Sequence, residues 1–187
     1  VKLWLARHAR PLAAAGLCYG ATDLAADGQA TLAAAQALAQ VLPAGLAVRS
    51  SPLRRCVQLA EALQALRPDL AHHCDARLAE MDFGRWEGQP WDAIGRAAFD
   101  DWMADFAHHR CGDGESVAAL MERVAAALAQ AHAGSTDVLW ITHAGVVRAA
   151  RLLARGVALP RQAADWPAEG LDFGALDCLA LEPGKAP

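Results

Sequence analysis

No stretch of this chain approaches the ~18 consecutive apolar residues that a membrane helix needs, although 55% of its residues are hydrophobic. Its apolar side chains are therefore expected in the core of a soluble protein. The five cysteines are odd in number and scattered, with no C-x-x-C pair, which argues against a disulfide framework and for a reducing compartment. The amino end carries one lysine and then strand-like sequence, not a charged region followed by an apolar segment and a small-residue cleavage site. A cytoplasmic location is the expectation. Positive charge is not in excess: the formal net charge is -4, so the broad basic field of a general nucleic-acid binder is missing. Neither a membrane nor a nucleic acid is an expected partner, and any arginine cluster must act locally. There is no H-E-x-x-H. His72-His73-Cys74 and His108-His109-Arg110-Cys111 do not have the paired spacing of a zinc site, so no metal and no cofactor is expected. No low-complexity linker interrupts the 187 residues, which are read as one domain, 1–187, burying about 70% of its unfolded surface. The sequence leaves the oligomeric state open.

What the chain does contain is two similar strand endings. Val1-Lys2-Leu3-Trp4-Leu5-Ala6 is a short bulky run that stops at Arg7-His8-Ala9-Arg10, and Val138-Leu139-Trp140-Ile141-Thr142 stops at His143-Ala144-Gly145. Ligands of an open parallel sheet sit at the carboxyl ends of its strands, so two histidines there can meet on one edge. Between them, strands and helices alternate. Helical composition from Gly28 to Leu42 ends at Pro43-Ala44-Gly45, and Leu46-Ala47-Val48 is a short strand. Ser51 and Pro52 read as the N-cap and first residue of a helix with Cys56, Leu59, Ala60, Leu63 and Leu66 as its inward stripe. A strand at 70–75, an irregular loop at 77–88, one helix from Trp91 to about Phe106, a helix at 116–132, a helix at 144–155 and a closing strand at 176–181 complete the reading. The end from Pro183 to Pro187 reads as loose. The alternation predicts a three-layer α/β/α sandwich with a mostly parallel central sheet.

The residues at these strand ends are Arg7, His8, Arg10, Arg54, Arg55, Glu80 and His143. Histidines, guanidiniums and one carboxylate suit metal-free phosphoryl transfer. Guanidinium forks hold phosphate oxygens bidentately, a neutral imidazole attacks in line, and a carboxylic acid protonates the departing alkoxide.

The motifs Leu5-Ala6-Arg7-His8-Ala9, Ser50-Ser51-Pro52-Leu53-Arg54-Arg55, Leu78-Ala79-Glu80-Met81, Gly114-Glu115-Ser116 and Thr142-His143-Ala144-Gly145 resemble, in order, those of the histidine phosphatase superfamily, the phosphoglycerate-mutase-like fold. The resemblance implies that His8 is the phosphorylated nucleophile, that Arg7 and Arg55 grip the phosphate, that His143 is the second pocket histidine and that Glu80 is the proton donor. Arg54 is then a solvated helix residue, and Trp4, Trp91, Trp102 and Trp140 are packing groups. Arg10 and Tyr19 are candidate substrate contacts, with the pocket walls drawn from 11–20 and 85–110. Cys18-Tyr19-Gly20 and the run from Phe83 to Gly88 resemble the α-ribazole phosphatase-like branch. The implied activity is hydrolysis of a small phosphorylated metabolite; a mutase and a silent phospho-ligand binding module are the alternatives. Ala9 stands where the family usually has glycine, which leaves the shape of the loop after His8 open.

Overall fold

In the computed structural model, which describes residues 1–181, a five-stranded sheet carries helices on both faces. The strands are β1 (Lys2–Arg7), β2 (Ala47–Ser50), β3 (His72–Cys74), β4 (Val138–Thr142) and β5 (Leu176–Ala180), in the order β3-β2-β4-β1-β5. All pairings are parallel except β1 with β5. The helices are α1 (Gly28–Val41), α2 (Arg54–Leu66), α3 (Arg96–Ala104), α4 (Val117–Ala133) and α5 (Ala144–Ala154). The sequence reading ending at Pro183–Pro187 lies outside the described residues.

The central strand β4 explains the layering. All five of its residues are buried, and successive side chains point to opposite faces. Leu139 and Ile141 pack with Leu38, Leu59 and Leu63 under α1 and α2. Val138 and Trp140 pack on the other face with Leu120, Met121, Val124 and Val146 of α4 and α5. Each fully buried leucine contributes roughly 1.5–3 kcal/mol by leaving water, so the two cores hold the sheet from both sides.

Register then places the functional end. Leu3 pairs with Val138 and Arg7 with Thr142, so the next residue on each strand is a histidine. His8 N donates to Thr142 O at 3.1 Å and ties the two ends together. The expected meeting of two distant histidines is thereby observed.

Three local expectations need correction. α2 begins at Arg54, with Leu53 and not Ser51 at its N-cap. The Ser51 hydroxyl is engaged with His143, and a remote carboxylate, Asp23, accepts from Arg54 N at 2.6 Å in its place. Leu66 is 43% exposed, because at 100° per residue it lies about 80° round from Cys56 on the helix. The Trp91–Phe106 helix is broken: a single 3₁₀ turn (Trp91–Ala93) is followed by Ile94 and Gly95 in extended conformation before α3 starts. Its apolar residues recur at the right interval but serve two elements.

Candidate active site

His8 follows β1 and is 2% exposed. Its Nδ1 lies 2.7 Å from Ala9 O, and since a carbonyl oxygen only accepts, Nδ1 carries the proton and Nε2 keeps a lone pair. Burial, assisted by the charges of Arg55 and Arg7, pushes the His8 pKa down to about 3 against a partly opposing contact to Ala9 O. The ring is therefore neutral over the working range. Behind it stands His143, fully buried, with ring centroids 5.0 Å apart. Burial also drives His143 well below the usual imidazole range, with the neighbouring positive groups adding to it. Its Nε2 is 2.8 Å from Ser51 Oγ and 3.4 Å from Cys56 Sγ.

Two guanidiniums flank this pair. Arg55, fully buried in the first turn of α2, donates to Thr22 O at 2.8 Å and to Gly20 O at 2.6 Å. Arg7 donates to Leu171 O at 2.7 Å, and its guanidinium carbon stands over the Phe173 ring, 3.8 Å from the centroid. In both arginines Nε is buried without a hydrogen-bond partner among the described residues. Burying an unpaired donor costs about 1–3 kcal/mol, a cost that an anion's oxygens would offset. Burial lowers the Arg7 pKa, yet a guanidinium keeps its charge at any working pH.

Glu80 is positioned by backbone amides. Its Oε2 accepts from Gly145 N at 3.0 Å, at the start of α5, and its Oε1 from Met81 N at 3.1 Å. The loop that carries it is pinned from two sides. Thr142 Oγ1 donates to Leu78 O at 2.7 Å, and Arg123 donates to Arg77 O and Ala79 O, both at 2.7 Å, while pairing with Glu115. The neighbouring carboxylates have other tasks: Glu87 holds the amides of Ala21, Thr22 and Phe83, and Asp82 accepts from Gly84 N.

A cleft of about 630 Å³ opens here, with Arg7, His8, Arg55 and Glu80 among the residues that line it. Arg10 and Tyr19 also line it, as does the 11–17 segment. Ala9 is buried and has no positive φ, Asp113 being the one non-glycine residue with positive φ among those described. The backbone after His8 therefore makes no demand that only glycine could meet. Among the described residues no three His, Cys, Asp or Glu side chains gather to hold a metal ion.

Set beside known proteins, residues 3–169 match the sequence profile of the histidine phosphatase superfamily (branch 1). This chain belongs to that superfamily. As a histidine phosphatase family member it is similar to a mycobacterial glucosyl-3-phosphoglycerate phosphatase, with 26% identity, a TM-score of 0.78, and coverage of 95% of this chain and 88% of that one. It is also similar to a Thermus thermophilus protein, at 28% identity and a TM-score of 0.72 over 96% of this chain and 93% of the other. An acid phosphatase of Mycobacterium tuberculosis is 41% identical over 85 residues, which is 44% of this chain and 39% of that relative's length. The matched segment thus spans about two fifths of that curated relative.

Sequence reasoning missed four contributors to this histidine phosphatase site. Ser51 was assigned to helix capping. From a connection that has no motif, Phe173 lines the cleft and Leu171 holds Arg7 through its carbonyl, and Arg148 lines the cleft from α5. Trp91, expected as a packing group inside the 85–110 wall, both meets Phe83 edge-on at 5.2 Å and lines the cleft. Arg148 lies five residues from His143, about 140° round α5, so no helical interval from the strand-end histidine marks it.

Proposed function

We infer that this protein is a metal-independent phosphomonoesterase that hydrolyses a small phosphorylated metabolite through phosphohistidine at His8. The observation that carries the reading is the state of that ring: neutral, with its Nδ1 proton fixed on Ala9 O and its Nε2 lone pair free, beside the buried Arg55 and the half-buried Arg7. His8 Nε2 attacks phosphorus and the ester P–O bond breaks. Arg7 and Arg55 neutralise the phosphoryl oxygens, and His143 closes the pocket behind the ring. Glu80 gives its proton to the leaving oxygen. As the carboxylate it then takes a proton from water, which attacks the phosphohistidine, releasing orthophosphate and restoring His8. Solved relatives support the reading: the mycobacterial enzyme has a structure with inorganic phosphate.

The test is a ³²P-labelled ester quenched in alkali. Label is expected on the peptide containing His8, His8→Ala should lower turnover by at least ~10³-fold, and a chelator should change nothing. Rapid turnover with no label on that peptide would overturn the mechanism. Phosphate binding without turnover would favour a silent binding module, and transfer that requires a bisphosphate primer would favour a mutase. A panel of phosphate esters names the leaving group, and α-ribazole 5′-phosphate belongs in it on the resemblance of Cys18-Tyr19-Gly20 and Phe83 to Gly88.

A further inference from the structure

The phosphate grip accounts for only part of the cleft. Its volume of about 630 Å³ lies within the range that accepts a whole small metabolite. Four guanidiniums line it, Arg7, Arg10, Arg55 and Arg148, against the single carboxylate of Glu80. A phosphate dianion cancels two of the three surplus charges and leaves at least one positive charge unmatched. Asp172 acts on Arg7 from outside and does not line the cleft. This is a local surplus on a molecule whose formal net charge is -4, so it is not a by-product of a basic surface.

Arg148 is the best-placed holder of that surplus. It is half-buried on α5 and fixed by donating through Nε to Pro167 O at 2.9 Å and through Nη2 to Ala168 O at 3.3 Å. Both partners are neutral carbonyls. Its Nη1 has no partner among the described residues, and no carboxylate pairs with either Arg148 or Arg10 among them. Its charge is close enough to Arg7 to oppose that guanidinium's own. A pre-fixed, unpaired guanidinium beside a phosphate cradle loses little freedom when it binds an anion, and binding relieves the repulsion.

We propose that Arg148 is a specificity residue: it receives a second anionic group, on the leaving-group side of the substrate, at the cleft wall beside Arg7. The substrate class is a phosphomonoester that carries a further carboxylate or phosphate. This rests on the phosphatase reading and narrows it, since an ester whose remainder is neutral, α-ribazole 5′-phosphate included, leaves Arg148 unmatched.

The experiment compares kcat/KM for 3-phosphoglycerate against glycerol 1-phosphate, and for 4-carboxyphenyl phosphate against 4-carbamoylphenyl phosphate. Each pair differs by one negative charge. A charged hydrogen bond implies a preference of about 10-fold or more for the charged member in at least one pair. Arg148→Gln should cost the charged member at least ~10-fold more than its neutral twin, with Arg148→Lys intermediate. Equal kcat/KM within both pairs in the unaltered protein would overturn the proposal, as would an Arg148→Gln loss shared equally by all four esters. Should no ester turn over, the phosphatase reading fails by itself. Calorimetric binding of 3-phosphoglycerate and glycerol 1-phosphate to the protein then still decides the second-anion subsite, tighter binding of the former supporting it and equal binding refuting it.

Discussion

Gly145 shows how much of the site depends on single atoms. A Cβ built there would sit 2.3 Å from Glu80 Oε1, while the amide of the same residue holds Oε2. Gly145→Ala should therefore leave the fold within about 1 kcal/mol, because the obstructed atom is the end of a flexible side chain and alanine suits a helix. It should lower kcat by roughly 10- to 100-fold by turning the proposed proton donor aside. Steady-state kinetics beside urea denaturation separates the two effects, and an unchanged kcat would show that Glu80 is not the donor. At this scale the sequence was most informative where rare residue types stand at or just after strand ends and the fold brings them together. His8, His143, Arg7, Arg55 and Glu80 could all be picked out by type and position. Leu171 could not, because it contributes a backbone carbonyl, and any residue type supplies one. Phe173 acts through ring placement over Arg7, which is set by the path of the preceding loop and not by a local pattern.

The elements are joined to the site by braces, of which Arg123 on α4 is the most connected. It is paired with Glu115 at 2.7 Å, the two side chains being 20% and 16% exposed, and it holds two carbonyls of the loop leading to Glu80. Arg123→Ala strands a largely buried carboxylate and two acceptors, so a loss of about 2–4 kcal/mol is expected in urea denaturation, with a lower kcat as the loop loosens. Glu115→Gln, which keeps the shape, should cost less. The sequence located α1, α4, α5 and the strands to within one or two residues because caps and apolar intervals agree there. Asp27 caps α1 through Ala30 N, and Ser116 caps α4 through Ala119 N. It failed where capping comes from far away, as Asp23 does for α2, and where one apolar rhythm spans two elements, as between Trp91 and Phe106.

For the molecule as a whole, the two buried imidazoles set an acid limit. Both have folded pKa values below the unfolded value of ~6.5, that of His8 at about 3. Between those values the unfolded chain binds more protons than the folded one, so stability is complete above pH ~6.5 and falls as pH drops towards 3. Each histidine contributes a slope of up to ~1.4 kcal/mol per pH unit in that window. Urea titrations from pH 7 to 4 should show His8→Gln falling less steeply than the unaltered protein, and parallel slopes would refute the assignment. The global arrangement was legible because strand–helix alternation leaves few layered solutions, and β5 was seen as a strand. Its role in the site was not, since that depends on what precedes it. Leu171 O holds Arg7, Phe173 covers it, and Gly174 N reaches Arg7 O and His8 O, both at 3.1 Å. On a translating ribosome, then, His8 emerges long before the segment around 175, and its surroundings stay unfinished until that segment has cleared the exit tunnel. A nascent polypeptide of this kind is held inert by its own order of synthesis.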